Sequence, residues 1–499
     1  MGREQWKTRT GFLCAAIGCA VGLGNIWRFP YVAYTSGGGT FFIPYFIALL
    51  LVGLPLMIME HGLGHREQGS APLAFARVHP GWEWLGWWAV IFTAFAIACY
   101  YNVVLSWCLN YLAFGANLAW GSDPNTFFFE QFLQKTDGPF SFGSINPRIF
   151  IGLACIWAIN WYILRRGITR GIELAGRICM PLLFVLILFL VGWSLTLPGA
   201  SLGIKAYLTP DFSRLWDPTI WRNAFGHIFF SLSLGYGMMI AYGSYLPQKT
   251  NLKANAIIVG IANSAVEVIA AFAVFSLLGF MALRAGKPVS EVVSQSIGLS
   301  FVAYPEAINQ LPGGQHFFAF LFFIALLIAG ITSSIAMGEA FIASAQDKFS
   351  WSRKRIVDGT CLVGFLLGIL FTTGSGLYWL DLVDHFINQF GVIAVALLQC
   401  LLVTRVLGKE TFIAYVNAHS SHPVGWPVAF GLTIFTPTMM TILLGVGVYE
   451  EIQTPYGGYP IPAILAIGGG WLLATLLVAF YFSRRPWQTT RLDTVHAAS

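Results

Sequence analysis

Long apolar stretches run along this chain, and polar residues punctuate them. Twelve such runs lie at about 9–34, 39–65, 84–116, 147–165, 171–195, 220–245, 253–283, 315–346, 354–373, 378–404, 424–449 and 460–483. A helix needs about 20 mostly apolar residues to cross a bilayer, where unpaired backbone groups are not tolerated. The pattern predicts an all-α polytopic membrane protein with about 12 transmembrane helices. The polar connections alternate in charge. Arg3/Lys7/Arg9, His65/Arg66/Arg77, Arg165/Arg166/Arg170, Lys249/Lys253, Lys348/Arg353/Lys354/Arg355, Arg405/Lys409 and Arg484/Arg485 form one set. Asp123/Glu130/Asp137, Asp211/Asp217, Glu291/Glu306 and Glu450/Glu451 form the other. Basic loops stay in the cytoplasm. The expected location is therefore the cell inner (plasma) membrane, with both termini cytoplasmic. The longest outer connections are 117–146, 196–219 and 284–314. Short helices at 289–298 and 304–310 would make the last either an outer lid or a plain surface loop.

Composition agrees. Of 499 residues, 57% are apolar and 10% charged, against roughly 25% charged in a soluble domain. So few charges could not cover a water-facing surface, and the balance is the reverse of a disordered chain. The net charge of +6 is spread over the short connections, which argues against a nucleic-acid partner. Nearly all of the eight cysteines lie inside apolar runs and no CxxC pair occurs, so a metal or redox site is not expected. Residues 2–9 are polar and basic, and the run after them is too long for a signal peptide.

Two runs break the apolar rule in matching ways. The first contains Gly18-Cys-Ala-Val-Gly-Leu-Gly-Asn25, and the sixth contains Ser231-Leu-Ser-Leu-Gly-Tyr-Gly237 at similar depth. Glycine costs a helix about 1 kcal/mol relative to alanine. Such clusters at mid-bilayer point to helices that open there, freeing carbonyls for a cation and half-helix N-termini for an anion. Close packing of small residues is the plainer alternative. Breaks five spans apart suggest that spans 1–5 (about 9–195) and 6–10 (about 220–404) are two halves of inverted topology. The domains would then be a transport core at 1–404, followed by spans 11–12 and a cytoplasmic tail at 405–499.

Arg28, Glu60, His227, Glu267, Glu339 and Asp384 lie within or near spans, where ionisable groups must face protein or water. Arg28 and Asp384 are candidate partners across an outer vestibule. Asn263 and Glu267, four residues apart, share a helix face. The hydroxyls of Thr332, Ser333 and Ser334 suit a small hard cation, or bond back to their own helix. His61 and His65 read as solvated or headgroup histidines. Gly22-Leu-Gly24 lacks the context of a dinucleotide loop, and no Walker, GxSxG or kinase motif occurs. No nucleophile–base set appears, so an enzyme is not expected.

Several segments are distinctive together. These are Gly22-Leu-Gly-Asn-Ile-Trp-Arg-Phe-Pro-Tyr31, Gly37-Gly-Gly-Thr-Phe-Phe-Ile-Pro-Tyr45 and Leu54-Pro-Leu-Met-Ile-Met-Glu60, with Tyr100-Tyr-Asn102, Phe229-Phe-Ser-Leu-Ser-Leu-Gly235 and Ala329-Gly-Ile-Thr-Ser-Ser334. In these, from Arg3 to about span ten, the chain resembles the neurotransmitter:sodium symporter family, its bacterial amino-acid branch (leucine-transporter-like) in particular.

The resemblance implies symport with two sodium ions. One site would use the Ala20 carbonyl, the side chains of Asn25, Ser231 and Asn263, and the substrate's carboxylate. The other would use carbonyls of Gly18, Val21 and Ala329 with hydroxyls of Thr332 and Ser333. The substrate carboxylate would meet the amides of Leu23 and Gly24 and the Tyr101 hydroxyl. Its amino group would meet carbonyls of Ala20, Phe230 and Ser231, with Ser233 nearby. Ile97, Phe230, Tyr236, Ser333 and Met337 would line the side-chain pocket. Arg28 and Asp384, with Tyr101 and Phe230, would form the outer gate, and Arg3 with Asp347 and Trp6 the inner gate.

Four departures from relatives carry information. Gly22 stands where monoamine members carry Asp, so the substrate should bring its own carboxylate. Glu267, beside Tyr45, His227 and Ser231, stands where chloride-dependent members carry a small hydroxyl residue, which implies chloride independence. His227 replaces a Gln beside the outer-gate arginine. Cys19 replaces a polar residue where only the backbone binds. The implied function is sodium-coupled import of a small zwitterionic amino acid by alternating access. A γ-amino acid or osmolyte transporter, or a non-transporting receptor on the same scaffold, are the alternatives.

Overall fold

A computed structural model describes residues 3–292 and 296–492, and the described residues are almost entirely helical. The chain enters through α1 (Arg9–Ala20) and α2 (Leu23–Thr35). It continues through α3 (Gly39–Glu67), α4 (Pro80–Phe114), α5 (Pro147–Arg165) and α6 (Ile168–Ser194). Then come α7 (Pro218–Ser231) and α8 (Met238–Gly243). The rest is α9 (Leu252–Ala285), α10 (Gln315–Lys348), α11 (Arg353–Thr372), α12 (Gly376–Val406), α13 (Trp426–Gly458) and α14 (Ile461–Ser483).

Polar side chains set where helices start. Thr8 caps α1 through Gly11 N–H, and Asn146, Asp217, Asn251 and Ser352 cap α5, α7, α9 and α11 in the same manner. Each satisfies a backbone donor that the first turn leaves open.

Among the described residues, ten unbroken helices are long and apolar enough to cross a membrane. The pair α1 and α2, bent by 51° across a two-residue break, makes an eleventh. This is a multi-pass membrane protein. The remaining expected run, the sixth at 220–245, is divided into α7 and α8 by a stretch at 232–237 that is not helical. Helices α4 and α10 are wrapped by protein, whereas α6, α13 and α14 turn broad apolar faces outward. On α6, Leu182, Val185, Leu188 and Phe189 are exposed, as suits a helix bordering lipid. The 284–314 connection folds back rather than looping outward. Its Ile297, Gly298 and Val302 line the central vestibule, and Tyr304–Asn309 is helical as expected. Part of the expected helix at 289–298 lies outside the described residues.

Candidate functional site

The break in the first span is local chemistry. Val21 and Gly22 are extended, and α2 restarts because Asn25 Oδ1 accepts the Gly22 N–H at 2.7 Å. The Leu23 N–H donates to the Tyr101 hydroxyl at 3.3 Å. Gly22 has little room for a side chain, since a Cβ would stand 3.0 Å from Tyr101 Oη and 3.1 Å from Ser333 Oγ. Gly24 lets the Phe230 ring approach the backbone, where a Cβ would collide with it at 2.6 Å.

Below the break, α10 brings its hydroxyls to the exposed carbonyls. Ser333 Oγ lies 3.2 Å from the Gly18 carbonyl, 3.3 Å from Cys19, 3.2 Å from Val21 and 3.4 Å from Ala329. Thr332 Oγ1 is 2.9 Å from the same Ala329 carbonyl and 3.2 Å from that of Ile328. A hydroxyl has one proton, so four carbonyls around Ser333 leave acceptors in surplus. Such a cluster of uncharged oxygens favours a small hard cation.

A second cluster surrounds Glu267. Its Oε1 accepts from Ser231 Oγ (2.5 Å) and Asn25 Nδ2 (3.0 Å) and lies 3.0 Å from His227 Nε2. Its Oε2 accepts from the Tyr45 hydroxyl at 2.6 Å. Asn263 closes the ring, donating to Ser231 Oγ at 2.5 Å and accepting from Asn25 Nδ2 at 2.8 Å. All six residues are buried. A buried carboxylate is tolerable here because donors converge on both oxygens. The His227 ring also sits against Phe29 at 5.4 Å, and its Nδ1 has no partner.

Above both clusters opens a vestibule of about 790 Å³. Ala20, Gly22, Leu23, Gly24 and Asn25 contribute to its floor, and Phe230, Ser231, Ser233, Tyr236, Ser333, Met337, Ile97 and Tyr101 line it. Cys19 turns its thiol to Met238 Sδ at 3.8 Å, and its carbonyl accepts from Ser233 Oγ at 3.1 Å. The left-handed backbone at Ser233 (φ 55°), Gly235 (φ 84°) and Gly237 (φ 76°) keeps the 232–237 stretch out of a helix.

The family model for the sodium:neurotransmitter symporter family matches residues 3–138 and 121–486, nearly the whole chain. The chain belongs to that family. A sodium-dependent transporter of Methanocaldococcus jannaschii is 43% identical over 461 residues, covering 92% of this chain and 93% of the relative. The sodium- and chloride-dependent neutral and basic amino acid transporter B(0+) of Mus musculus is 35% identical, covering 94% and 83%. The sodium- and chloride-dependent taurine transporter of Bos taurus is 30% identical, covering 95% and 82%. This symporter is thus a sodium-coupled transporter and not an enzyme. The match reaches residue 486, beyond the motifs that carry the resemblance.

The two expected gates of the symporter differ. Arg3 Nη1 meets Asp347 Oδ1 at 2.5 Å, and Arg3 Nη2 donates to Ser244 Oγ at 2.7 Å. Burial is the largest influence and disfavours the Arg3 charge, yet Asp347, Tyr245 and Glu339 together outweigh it and lift the guanidinium above its ordinary range. Trp6 Nε1 donates to the Tyr242 carbonyl at 2.9 Å. Arg28 and Asp384 share the vestibule without forming an ion pair. Arg28 lies over the Phe230 ring at 4.5 Å, and Asp384 Oδ1 accepts from Tyr100 (2.5 Å) and Asn388 (2.8 Å).

Two further corrections concern histidines. His61 and His65 are fully buried, not solvated. His61 packs edge-on to Phe12, and His65 bonds the Pro247 carbonyl and the Tyr415 hydroxyl. The end of α3 that carries them packs against 240–247 and 409–418, which takes both rings away from headgroups.

Sequence reasoning missed several contacts. Glu60 Oε1 accepts from the Gly235 amide and from Gln399, both at 2.7 Å, pinning the 232–237 stretch. Arg491 joins Arg3 on Asp347 Oδ1 at 2.5 Å, and Ser70 N–H donates to Asp347 Oδ2 at 2.9 Å. Asn388 links Asp384 to the Tyr236 hydroxyl. Glu60 stood out as a carboxylate inside a span; a polar tail arginine and an asparagine near the middle of α12 carried no such signal.

Proposed function

We propose that this chain is a leucine-transporter-like symporter that imports a small zwitterionic amino acid with two sodium ions by alternating access. The observation that carries the proposal is the pairing of opposite preferences at one helix break. Surplus carbonyl and hydroxyl oxygens below the break suit a cation. The N-terminus of α2, with Leu23 and Gly24 amides at the vestibule floor, suits a carboxylate. A zwitterion's carboxylate can meet both the α2 amides and a sodium ion at Asn25, Asn263, Ser231 and Ala20. Gly22 leaves that place to the cargo. The second ion would take Gly18, Val21, Ala329, Thr332 and Ser333.

In this reading α7 and α8 are one span, the sixth, broken like the first. Residues 1–404 are the inverted-repeat core, and 405–499 are two peripheral spans with a tail. The vestibule faces outward, and the Arg3–Asp347 end and both termini face the cytoplasm of the plasma membrane. Sodium favours the open vestibule. Cargo bridges to the first ion and draws Arg28 and Asp384 together. Release of the second ion then frees the Arg3 side. Glu267 supplies the negative charge that chloride brings in other members, so transport is chloride-independent, unlike that of the murine relative as its name describes it. That relative also supports an amino-acid cargo.

The test is uptake by proteoliposomes under an inward sodium gradient, with chloride replaced by gluconate, after a thermal-shift screen of amino acids with and without sodium. Sodium-driven accumulation without chloride is expected. Sodium-dependent binding without accumulation would mean a receptor, and a thermal shift only with taurine or a γ-amino acid would move the substrate class. Glu267→Ser should make uptake depend on chloride; uptake that ignores chloride in this variant would remove the charge-substitution argument.

A further inference from the structure

The two outer-gate residues are held apart by different aromatic side chains, and both aromatics flank the same stretch. Arg28 rests on the ring of Phe230, one residue before the end of α7. Asp384 is tied to Tyr236, just before α8, through Asn388. The Tyr236 hydroxyl donates to Asn388 Oδ1 at 2.7 Å, and Asn388 Nδ2 donates to Asp384 Oδ1 at 2.8 Å. Both rings line the vestibule where cargo would sit. The Tyr236 backbone is itself anchored, because its carbonyl accepts from the Thr93 hydroxyl at 3.1 Å. Asn388 lies in a π-helical turn of α12, Ile387–Val392, a widened geometry found often at functional positions. An asparagine amide suits this place because its oxygen takes the phenol proton while its nitrogen serves the carboxylate.

We infer that Asn388 is a positioning residue that ties Asp384 to the Tyr236 wall of the cargo pocket, holding the outer gate open until cargo bears on that wall. This rests on the reading of Arg28 and Asp384 as the gate pair. Cargo pressing on the Tyr236 ring moves the phenol, Asn388 loses the partner that holds its amide in place, and Asp384, left with the Tyr100 hydroxyl as its fixed donor, can turn to Arg28. The resulting pair joins two opposite charges, whereas the hydrogen bond it replaces carries a charge on one side only. One cargo molecule touching Phe230 and Tyr236 thereby acts on both members of the gate.

The experiment uses the full chain in lipid nanodiscs, in sodium and without cargo. Leu377, on the vestibule wall, is replaced by cysteine and labelled with a charged maleimide; the chain without this reporter gives the background of the native thiols. Adding Asn388→Ala should slow labelling about five-fold or more, the scale of losing one hydrogen bond to a charged group. Tyr236→Phe keeps the ring and removes only the oxygen, so it should slow labelling in the same direction. The double variant should fall no further than the stronger single variant, because both cut one chain. Unchanged labelling in both single variants overturns the inference. A fall with Asn388→Ala but none with Tyr236→Phe, or additive falls, overturns the tie to the pocket wall. If Asn388→Ala does not fold, Tyr236→Phe alone decides. Labelling needs no transport, so absence of uptake in the unaltered chain would sink the transport reading without imitating any of these results.

Discussion

At one end of the path Arg3 and Asp347 touch, and at the other Arg28 and Asp384 do not. The residue types are the same, so their neighbours make the difference. Asp347 is buried and gathers Arg3, Arg491 and the Ser70 amide, and Trp6 closes over the Tyr242 backbone. Asp384 is half-buried at an open vestibule, where neutral donors from Tyr100 and Asn388 satisfy it. Arg28 finds a ring instead of a carboxylate. Arg28 and Asp384 are thus each satisfied without the other, whereas Asp347 keeps Arg3 although Arg491, the Ser70 amide and the Tyr245 ring are also at hand. The asymmetry is what the proposed alternating access would require, with one end shut while the other is open.

The largest test of this contrast is Asp347→Ala. It leaves two guanidinium groups without their anion, and breaking a buried pair costs about 3–5 kcal/mol. Thermal stability should drop sharply, and labelling of a cysteine placed at Ser244 should rise more than tenfold. A variant as stable and as inaccessible as the parent would show that Asp347 does not hold this end shut.

Removing residues 484–499 asks how much the tail adds. It takes away Arg491, the Gln488 N–H bond to the Lys348 carbonyl at 2.9 Å, and the Trp487 bond to Glu83 at 3.1 Å. Arg3 remains, so the expected loss is about 1.5–3 kcal/mol, the size of a charged hydrogen bond, read as a several-fold rise in labelling at Ser244. No change would make the tail a passive strap.

Asp384→Asn should cost less in stability, within about 1 kcal/mol, because Asp384 meets only neutral donors in this state. Uptake should nonetheless fall steeply, since no carboxylate is left for Arg28 to meet. A large loss of melting temperature would instead show that the open end depends on this carboxylate as the closed end does on Asp347.

The smallest effect concerns Asp217, which caps α7, the helix carrying Phe230. Hydrogen bonds from the Thr219 backbone and side chain hold this carboxyl below its ordinary value. A lowered pKa contributes stability at neutral pH that is lost as pH falls below the usual carboxylate range. The melting temperature of the parent should dip slightly near pH 3–4, the ordinary range of an aspartate, and Asp217→Asn should flatten that dip. An identical pH profile in both would remove the cap's contribution.

Much of this was legible in the chain. The pairing of Glu267 with Tyr45, His227 and Ser231, and the gathering of Thr332 and Ser333 under the first break, are implied by the family resemblance that the segments around Gly22, Tyr45, Phe229 and Ala329 carry. Spacing could not show that Asn388 reaches the Tyr236 hydroxyl, or that His61 and His65 are covered by later segments. Those depend on contacts between residues far apart in sequence, for which no local pattern exists.

By itself the sequence determined the solvent, the approximate extent of most spans, and which polar residues must face inward. These follow from the high cost of bare backbone and isolated charge in lipid, which acts residue by residue. Only the tertiary structure decided which end of the path is shut. That depends on whether a tail arginine reaches Asp347, and on whether Asn388 and Phe230 reach Asp384 and Arg28 before those two reach each other.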